Sequence, residues 1–461
     1  MIKGFISKFF NSKIYYYIVM AIFFVLWLLS FLSVNGKLSE ATLGKCEWIA
    51  MIFVGGSILA LSILSKEIDP ITPFVTFTPF VFAHPFYVIN MPYSLFLGIG
   101  CLIVGLVLHQ IIYKVPFYKG RNFIGIAVLG FAMALGGIFN HQEYSFIQFG
   151  ACLAIGVAIT YLYFSLSKNT FDFTKVAHII NALGVFLVLQ VITYYYISED
   201  TMDALFTKSL DVGWGISNNV ALMLLLTMPF TMYLAITNKH IKQFAFYFIF
   251  TLEFLAILFS YSRGAIASIA LGLLAMVPAC FFITKHKISY AVSVVVLVAL
   301  MIVAFRVLSV RYHEYYERFL DYVSRINMGS YNGRRPIYDE ILVAFKEHPI
   351  FGSGMFSPFY NILEEGVGEY QWGHSTLLHT VLTMGLSGVA ALLYHFYEKY
   401  FYLVKKINKE KFLVLVAFIT SGLYGMIDVS YYFINYMIVL IVILATIENL
   451  INPKEVPSEV L

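Results

Sequence analysis

Charge is what this sequence lacks. Only 12% of its 461 residues are Asp, Glu, Lys or Arg, while 60% are hydrophobic; an ordinary soluble domain carries about 25% charge and under half apolar residues. A water-soluble globule of this length needs charged groups to cover its surface, so an apolar solvent must take the place of water over most of the chain. Cysteine is scarce too. Cys46, Cys101, Cys152 and Cys280 show no CxxC or Cys/His spacing, which removes a disulfide framework and a cysteine-based metal centre from consideration. The chain has no charge block, no low-complexity linker and no stretch of separate composition. A net charge of +4 gives no sign of a nucleic-acid partner.

What is present is a series of about 14 apolar runs, each near the 20 or so residues that a helix needs to cross the hydrocarbon. They fall at 14–33, 48–65, 71–90, 94–113, 123–139, 146–165, 176–197, 214–236, 243–260, 264–283, 288–307, 374–396, 412–428 and 431–449. Runs such as Ser293 to Phe305 are continuous rather than alternating, which excludes a barrel. The predicted fold is all-α, a polytopic transmembrane bundle of about 12 to 14 helices in one membrane domain, 1–461. The first run follows Lys3, Lys8 and Lys13 as in a signal peptide, yet it is long enough to span and lacks a small-residue cleavage site, so it reads as a retained helix.

Lysines distribute by side. Threading the spans alternately puts Lys114, Lys119, Lys168, Lys175, Lys239, Lys242, Lys285, Lys287 and the group from Lys399 to Lys411 with the basic N-terminus. The acidic stretch Ser198 to Gly213 falls opposite. The bias of basic residues toward cytoplasmic loops then predicts both termini in the cytoplasm. One connection departs from the short loops elsewhere. Residues 308–373 form a large extracytoplasmic loop, and loops of that length are functional or disordered. Tyr, Phe and Ile argue for order. Tyr316, Phe319, Leu320, Val323 and Ile326 make one apolar stripe, and Pro336 is expected to open a second helix that ends at His348-Pro349.

Four places carry polar chemistry at span edges, where ionisable groups are costly. Arg263 stands in Ser262-Arg263-Gly264, and on its own reads as a snorkelling interfacial arginine. Arg334 and Arg335 precede the expected second loop helix, where guanidinium groups and unpaired amides suit phosphate oxygens. His374 marks the loop's return to the membrane, placed to accept a hydroxyl proton near working pH. Asn218 and Asn219 open the span after the acidic loop, as helix caps or as ligands to a polar head group. Threading places all four at the outer leaflet. Such a cavity suits a lipid-linked diphosphate whose tail stays in the bilayer, with Tyr331, Tyr370 and Trp372 as candidate sugar contacts.

The order of these motifs resembles the bacterial O-antigen ligase and Wzy-type O-antigen polymerase family. It runs Ser217-Asn218-Asn219, Ser262-Arg263-Gly264-Ala265, Gly333-Arg334, then Pro349 to Gly354, and His374 leading into Met384-Gly385-Leu386-Ser387-Gly388. The resemblance covers about 213–392. It implies a metal-independent glycosyltransferase without a cofactor, in the cytoplasmic (inner) membrane of a bacterium. Its partners would be an undecaprenyl-diphosphate-linked glycan, membrane lipid and other polysaccharide export and chain-length proteins. Arg263 with Arg334 or Arg335 would hold the diphosphate, and His374 would act on the acceptor hydroxyl. The family often has Asn after the histidine where this chain has Ser375, and the doubled arginine leaves the ligand open by one residue. Within the family a polymerase is favoured over a ligase on span count. A lipid-glycan flippase, which calls for midplane charges and repeated halves, comes after both.

Overall fold

The computed structural model describes residues 9–10, 12–38, 40–83, 93–114, 122–139, 173–324, 328–354 and 373–451. The spans 123–139 and 176–197 reappear as helices, whereas the expected span 146–165 and the candidates Tyr370 and Trp372 lie outside the described residues. Among the described residues fourteen principal helices carry the fold: α1 (Lys13–Val34), α2 (Glu40–Leu64), α3 (Tyr93–Tyr113), α4 (Phe123–Phe139), α5 (Phe173–Ile197), α6 (Ser217–Thr237), α7 (His240–Phe259), α8 (Arg263–Ile283), α9 (Lys287–Arg311), α10 (His313–Ser324), α11 (Met328–Glu347), α12 (Thr376–Val404), α13 (Lys409–Ile427) and α14 (Ile434–Ile451). Among the described residues nine helices are long and apolar enough to cross a membrane, and none of the named elements is a strand. The protein is an all-α, multi-pass membrane protein.

Burial sorts the helices. Nearly every residue of α6 is buried, and it packs against α5, α7 and α13 at the bundle's centre. Its Pro229 is tolerated because neighbouring helices surround the freed carbonyl. At the rim, α9 leaves Val292, Val295, Ile302, Val303 and Val307 exposed, as a helix does when lipid is its solvent.

One expected span is broken. Where 71–90 was read as a single run, the chain makes three short helical pieces over 69–80, with Pro70, Pro73 and Pro79 each at the first or second position of its piece. Proline cannot donate to the preceding turn, so three of them in ten residues stop an α-helix however apolar the sequence is. The last two apolar runs form separate helices joined by the turn 428–433.

The loop also differs from expectation. α9 continues to Arg311, and the second loop helix starts at Met328, so Pro336 lies inside α11 rather than at its start. Arg334 and Arg335 therefore stand within a helix and not at its N-terminus. A proline in mid-helix loses one backbone hydrogen bond, a cost that water at an exposed face can offset. The end is as read: His348 donates its amide to Ala344 (3.0 Å) before Pro349 turns the chain. On α10 the covered face is Tyr315, Phe319 and Tyr322, which meet Phe206, Phe259 and Tyr261. Leu320 is left exposed.

The segment after α11 is built into the bundle. α12 breaks at Gly385, whose φ of 58° and ψ of −149° are open to glycine alone. In an unbroken helix the amides of Leu386 and Ser387 would bond the carbonyls of Leu382 and Thr383. Here those amides donate to Pro349 (2.9 Å) and Ile350 (3.0 Å), while the two carbonyls accept from Ser353 (2.7 Å) and Gly354 (3.1 Å). The exchange leaves none of the four groups bare in an apolar setting, where each would cost several kcal/mol. A Cβ at Gly352 would come within 2.3 Å of the Met384 amide. Ile337 and Ile341 of α11 seat on Leu378, Val381 and Leu382, so the loop helix is fixed to the first turns of α12.

Candidate active site

Three helices begin at the same end of the bundle: α6 at Ser217, α8 at Arg263 and α12 at Thr376. α13 ends there. Helix starts carry partial positive charge, so this end attracts anions before any side chain is considered. Arg263 is the first residue of α8, where its cation opposes the helix dipole. An arginine costs stability at that place unless an anion is to be held.

Asp428 is the centre. It follows the last residue of α13, is only 7% exposed, and carries a negative charge at the negative end of a helix. Donors from distant segments compensate. Its Oδ2 accepts from the Asn218 amide (2.7 Å) and the Tyr424 hydroxyl (3.1 Å), and its Oδ1 from the Val429 amide (2.8 Å). His374 places Nδ1 3.6 Å from Oδ1. Burial pushes the Asp428 carboxyl up, but the His374 and Val429 contacts and the charges of His374 and Arg334 outweigh it and hold the group below its ordinary value.

Arg334 reaches over from the loop helix and donates to the carbonyl of Ile427 (2.7 Å), next in sequence to Asp428. Arg335, one position on, turns away. Its side chain is 70% exposed and lies 3.9 Å from Asp339 on its own helix. Helical geometry separates adjacent side chains by about 100°, so of the doubled pair Arg334 alone faces the cluster. Arg263 stands with its guanidinium 5.0 Å from the Tyr322 ring centre, and Tyr322 donates its phenol to the Tyr261 carbonyl. Tyr322's own pKa is raised by burial, with Arg263 opposing. Gly264 sets α8 close against Ile427 and Tyr424, for an added Cβ would meet them at 3.2 and 3.4 Å.

Two residues here have left-handed backbone: Tyr261 (φ 54°) and His374 (φ 45°). Non-glycine residues pay about 1 kcal/mol or more for that conformation, and they keep it where the surroundings demand it. One stands two residues before Arg263; the other is the histidine itself. The turn 428–433 is pinned from α12: Thr376 accepts the Ser430 amide (3.0 Å), and Tyr432 meets Thr380 and His379.

Of the sequence candidates, Asn218, Arg263, Arg334 and His374 come together around Asp428. Asn219 makes no described contact with the cluster, and the side chain of Tyr331 lies outside the described residues. The residue that caps α6 is Ile216; the Asn218 side chain is turned to Asp428 instead. Two participants escaped the sequence reading. Asp428 is the last residue of the apolar run 412–428 and was not singled out. Lys208, in the acidic stretch, feels the same charges: loss of hydration lowers its pKa, Asp428 opposes, and Arg334 and Arg263 add to the lowering. Among the described residues no three His, Cys, Asp or Glu side chains form a metal-binding group.

A family model, O-Antigen ligase, matches residues 246–393. This segment, about a third of the chain, is similar to that family. No curated protein matches the chain closely. The matched segment contains Arg263, Arg334, Arg335 and His374, whereas Asn218 precedes it and Asp428 follows it. The cluster is thus completed by flanking helices on both sides.

Proposed function

We propose that the chain polymerises undecaprenyl-diphosphate-linked oligosaccharide repeat units at the outer face of a bacterial cytoplasmic membrane, with the lysine-bearing loops in the cytoplasm. The observation that supports this reading is the gathering of Arg263, Arg334 and His374 around one buried carboxylate at the end of the bundle where three helices start.

The chemistry follows from the groups. A hydroxyl of the acceptor glycan attacks the anomeric carbon of the donor. The bond from that carbon to the lipid diphosphate oxygen breaks, and the diphosphate leaves with its electron pair. Arg263 and Arg334 stabilise the charge that develops on it, in a setting poor in water. His374 takes the hydroxyl proton on Nε2, because Nδ1 faces Asp428, which fixes the tautomer and favours the imidazolium that forms. The 3.6 Å separation is within what a base and its orienting group show before substrate is bound.

Transfer of a finished glycan to a lipid A-core acceptor would use the same groups, and the description of the matching family, O-Antigen ligase, favours that second reading. A host deleted for the protein and complemented with wild type, Arg263→Ala or His374→Ala separates them by the surface glycan ladder. Single repeat units in the deletion, unrelieved by either variant, support the polymerase. Long polymer that stays on its lipid carrier supports the ligase. An unchanged profile rejects both.

A further inference from the structure

Far from that cluster, inside the bundle, one carboxyl stands without a charged partner. Glu253 of α7 is fully buried. Its Oε1 accepts hydrogen bonds from Thr227 (3.1 Å) and Thr231 (3.2 Å) of α6. Gly184 of α5 leaves the room, since a Cβ there would lie 1.8 Å from Oε1. The second oxygen, Oε2, has no hydrogen-bond partner among the described residues.

The bonds that reach Oε1 form a directed chain. Tyr17 donates its hydroxyl to Oδ1 of Asn181 (2.7 Å), and the Asn181 amide donates to Oγ1 of Thr231 (2.9 Å). The Thr231 proton is then left for Glu253. Tyr17 also lies 3.3 Å from Nδ1 of His178, whose Nε2 is again without a partner among the described residues. Tyr17 is in the second turn of α1 and His178 in the second turn of α5, so the chain leads inward from the end of the bundle opposite the arginines.

Every proton on that path is already directed toward Oε1. Oε2 must therefore carry either a proton that donates to nothing or a charge that nothing matches. A lone carboxylate among apolar helices is expensive, and carboxylates placed so mark ion and proton sites. The titratable groups that face it are Tyr17 from α1 and His178 from α5, with Lys13 beyond His178. α6 brings hydroxyls alone, and the titratable groups between α7, α8 and α9 meet Tyr247 instead.

We propose that Glu253, with the hydroxyls of Thr227 and Thr231, binds one small monovalent cation, a proton or Na⁺, that exchanges past Tyr17 and His178. Bound, it ties α7 to α5 and α6. Those helices lead to Asn218 at one tip and to Ser262-Arg263 at another, so occupancy bears on the rigidity of the arms that present them.

The test is thermal unfolding of the purified full-length protein in detergent micelles, at about pH 6 and about pH 8.5, in NaCl or in choline chloride of equal strength. If Na⁺ is the ligand, NaCl raises the midpoint at the higher pH by a few degrees and by less at the lower, where protons compete. If a proton is the ligand, the midpoint falls from the lower to the higher pH equally in both salts. Glu253→Gln, neutral and of the same shape, loses whichever dependence wild type shows. Wild type and Glu253→Gln responding alike to salt and pH would overturn the proposal. Should Glu253→Gln fail to fold, Thr227→Val replaces it: a weakened dependence supports the site, and an unchanged one overturns it.

Discussion

The two groups of charged side chains on α12 and its neighbours are treated in opposite ways. Before the start of α12, His374, Arg263, Arg334 and Lys208 gather about a single acid, and His374 keeps a third of its surface open. Toward the other end Glu398, Lys399 and Glu448 are enclosed, each with partners from a neighbouring element. Lys399 donates to Tyr431 and sits 4.6 to 5.1 Å from the rings of Phe396, Tyr400, Phe418 and Tyr431. Glu398 accepts the Gly125 amide (2.9 Å) and Glu448 the amide of Asn122 (2.8 Å), so both acids cap the start of α4. Enclosed charges with partners on neighbouring helices hold those helices together, whereas reachable cations at a helix-start end are what an anionic substrate needs. Burial alone does not separate structure from function; the state of the partners does.

The comparison can be broken at its strongest point first. His374→Ala is expected to lower glycan transfer by about 10²- to 10⁴-fold, the usual contribution of a positioned base, with the protein still folded and inserted. Arg334→Ala should lower it by about 10- to 100-fold through loss of charge-assisted bonds to the diphosphate, while Arg335→Ala, facing Asp339, stays near wild type. Equal losses in the two arginine variants, read in the same transfer assay, would show that both face the substrate. Lys399→Met, which fills the aromatic cage without charge, should keep the glycan ladder, as buried ions replaced by apolar groups of like volume commonly do. Loss of the ladder there would place the enclosed charges in the function after all.

The smallest effect concerns pH. The Asp428 carboxyl titrates lower when folded than when unfolded, so the stability it contributes is complete above the ordinary carboxylate value of about 3.9. That contribution is lost only as pH falls through the lower folded value. Removing His374 takes away the largest counterweight to burial, and the carboxyl of the His374→Ala protein should titrate higher. Infrared difference spectra, with Asp428→Asn to assign the band, read this directly.

Much of this was legible from the chain. Helices α3 to α9 and α12 to α14 begin or end within a few residues of the apolar runs, because length and hydropathy alone decide a membrane span. Asn218, Arg263 and His374, near the edges of the runs, were visible for the same reason, and Arg334 stood out in the one long loop. Asp428 was hidden because its meaning lies in partners far along the chain: the bond to Asn218 joins residues 210 apart. The break over 69–80 went unseen because apolar composition outweighed three prolines in the reading. The start of α11 was misplaced because Pro336 looked like a first-turn residue, whereas the helix begins at Met328. Glu253, Glu398 and Glu448 went unnoticed and Lys399 was counted among the basic loop residues, because compensation by amides, hydroxyls and rings leaves no local sequence signal.

The central claim is that the cluster around Asp428 moves glycan from a lipid diphosphate. Its most direct test is release of polyprenyl diphosphate from a synthetic lipid-linked repeat unit by the purified protein and by its His374→Ala and Arg263→Ala variants. The account predicts release with longer glycan product for wild type and neither for the variants. Release at the wild-type rate from both variants would contradict it.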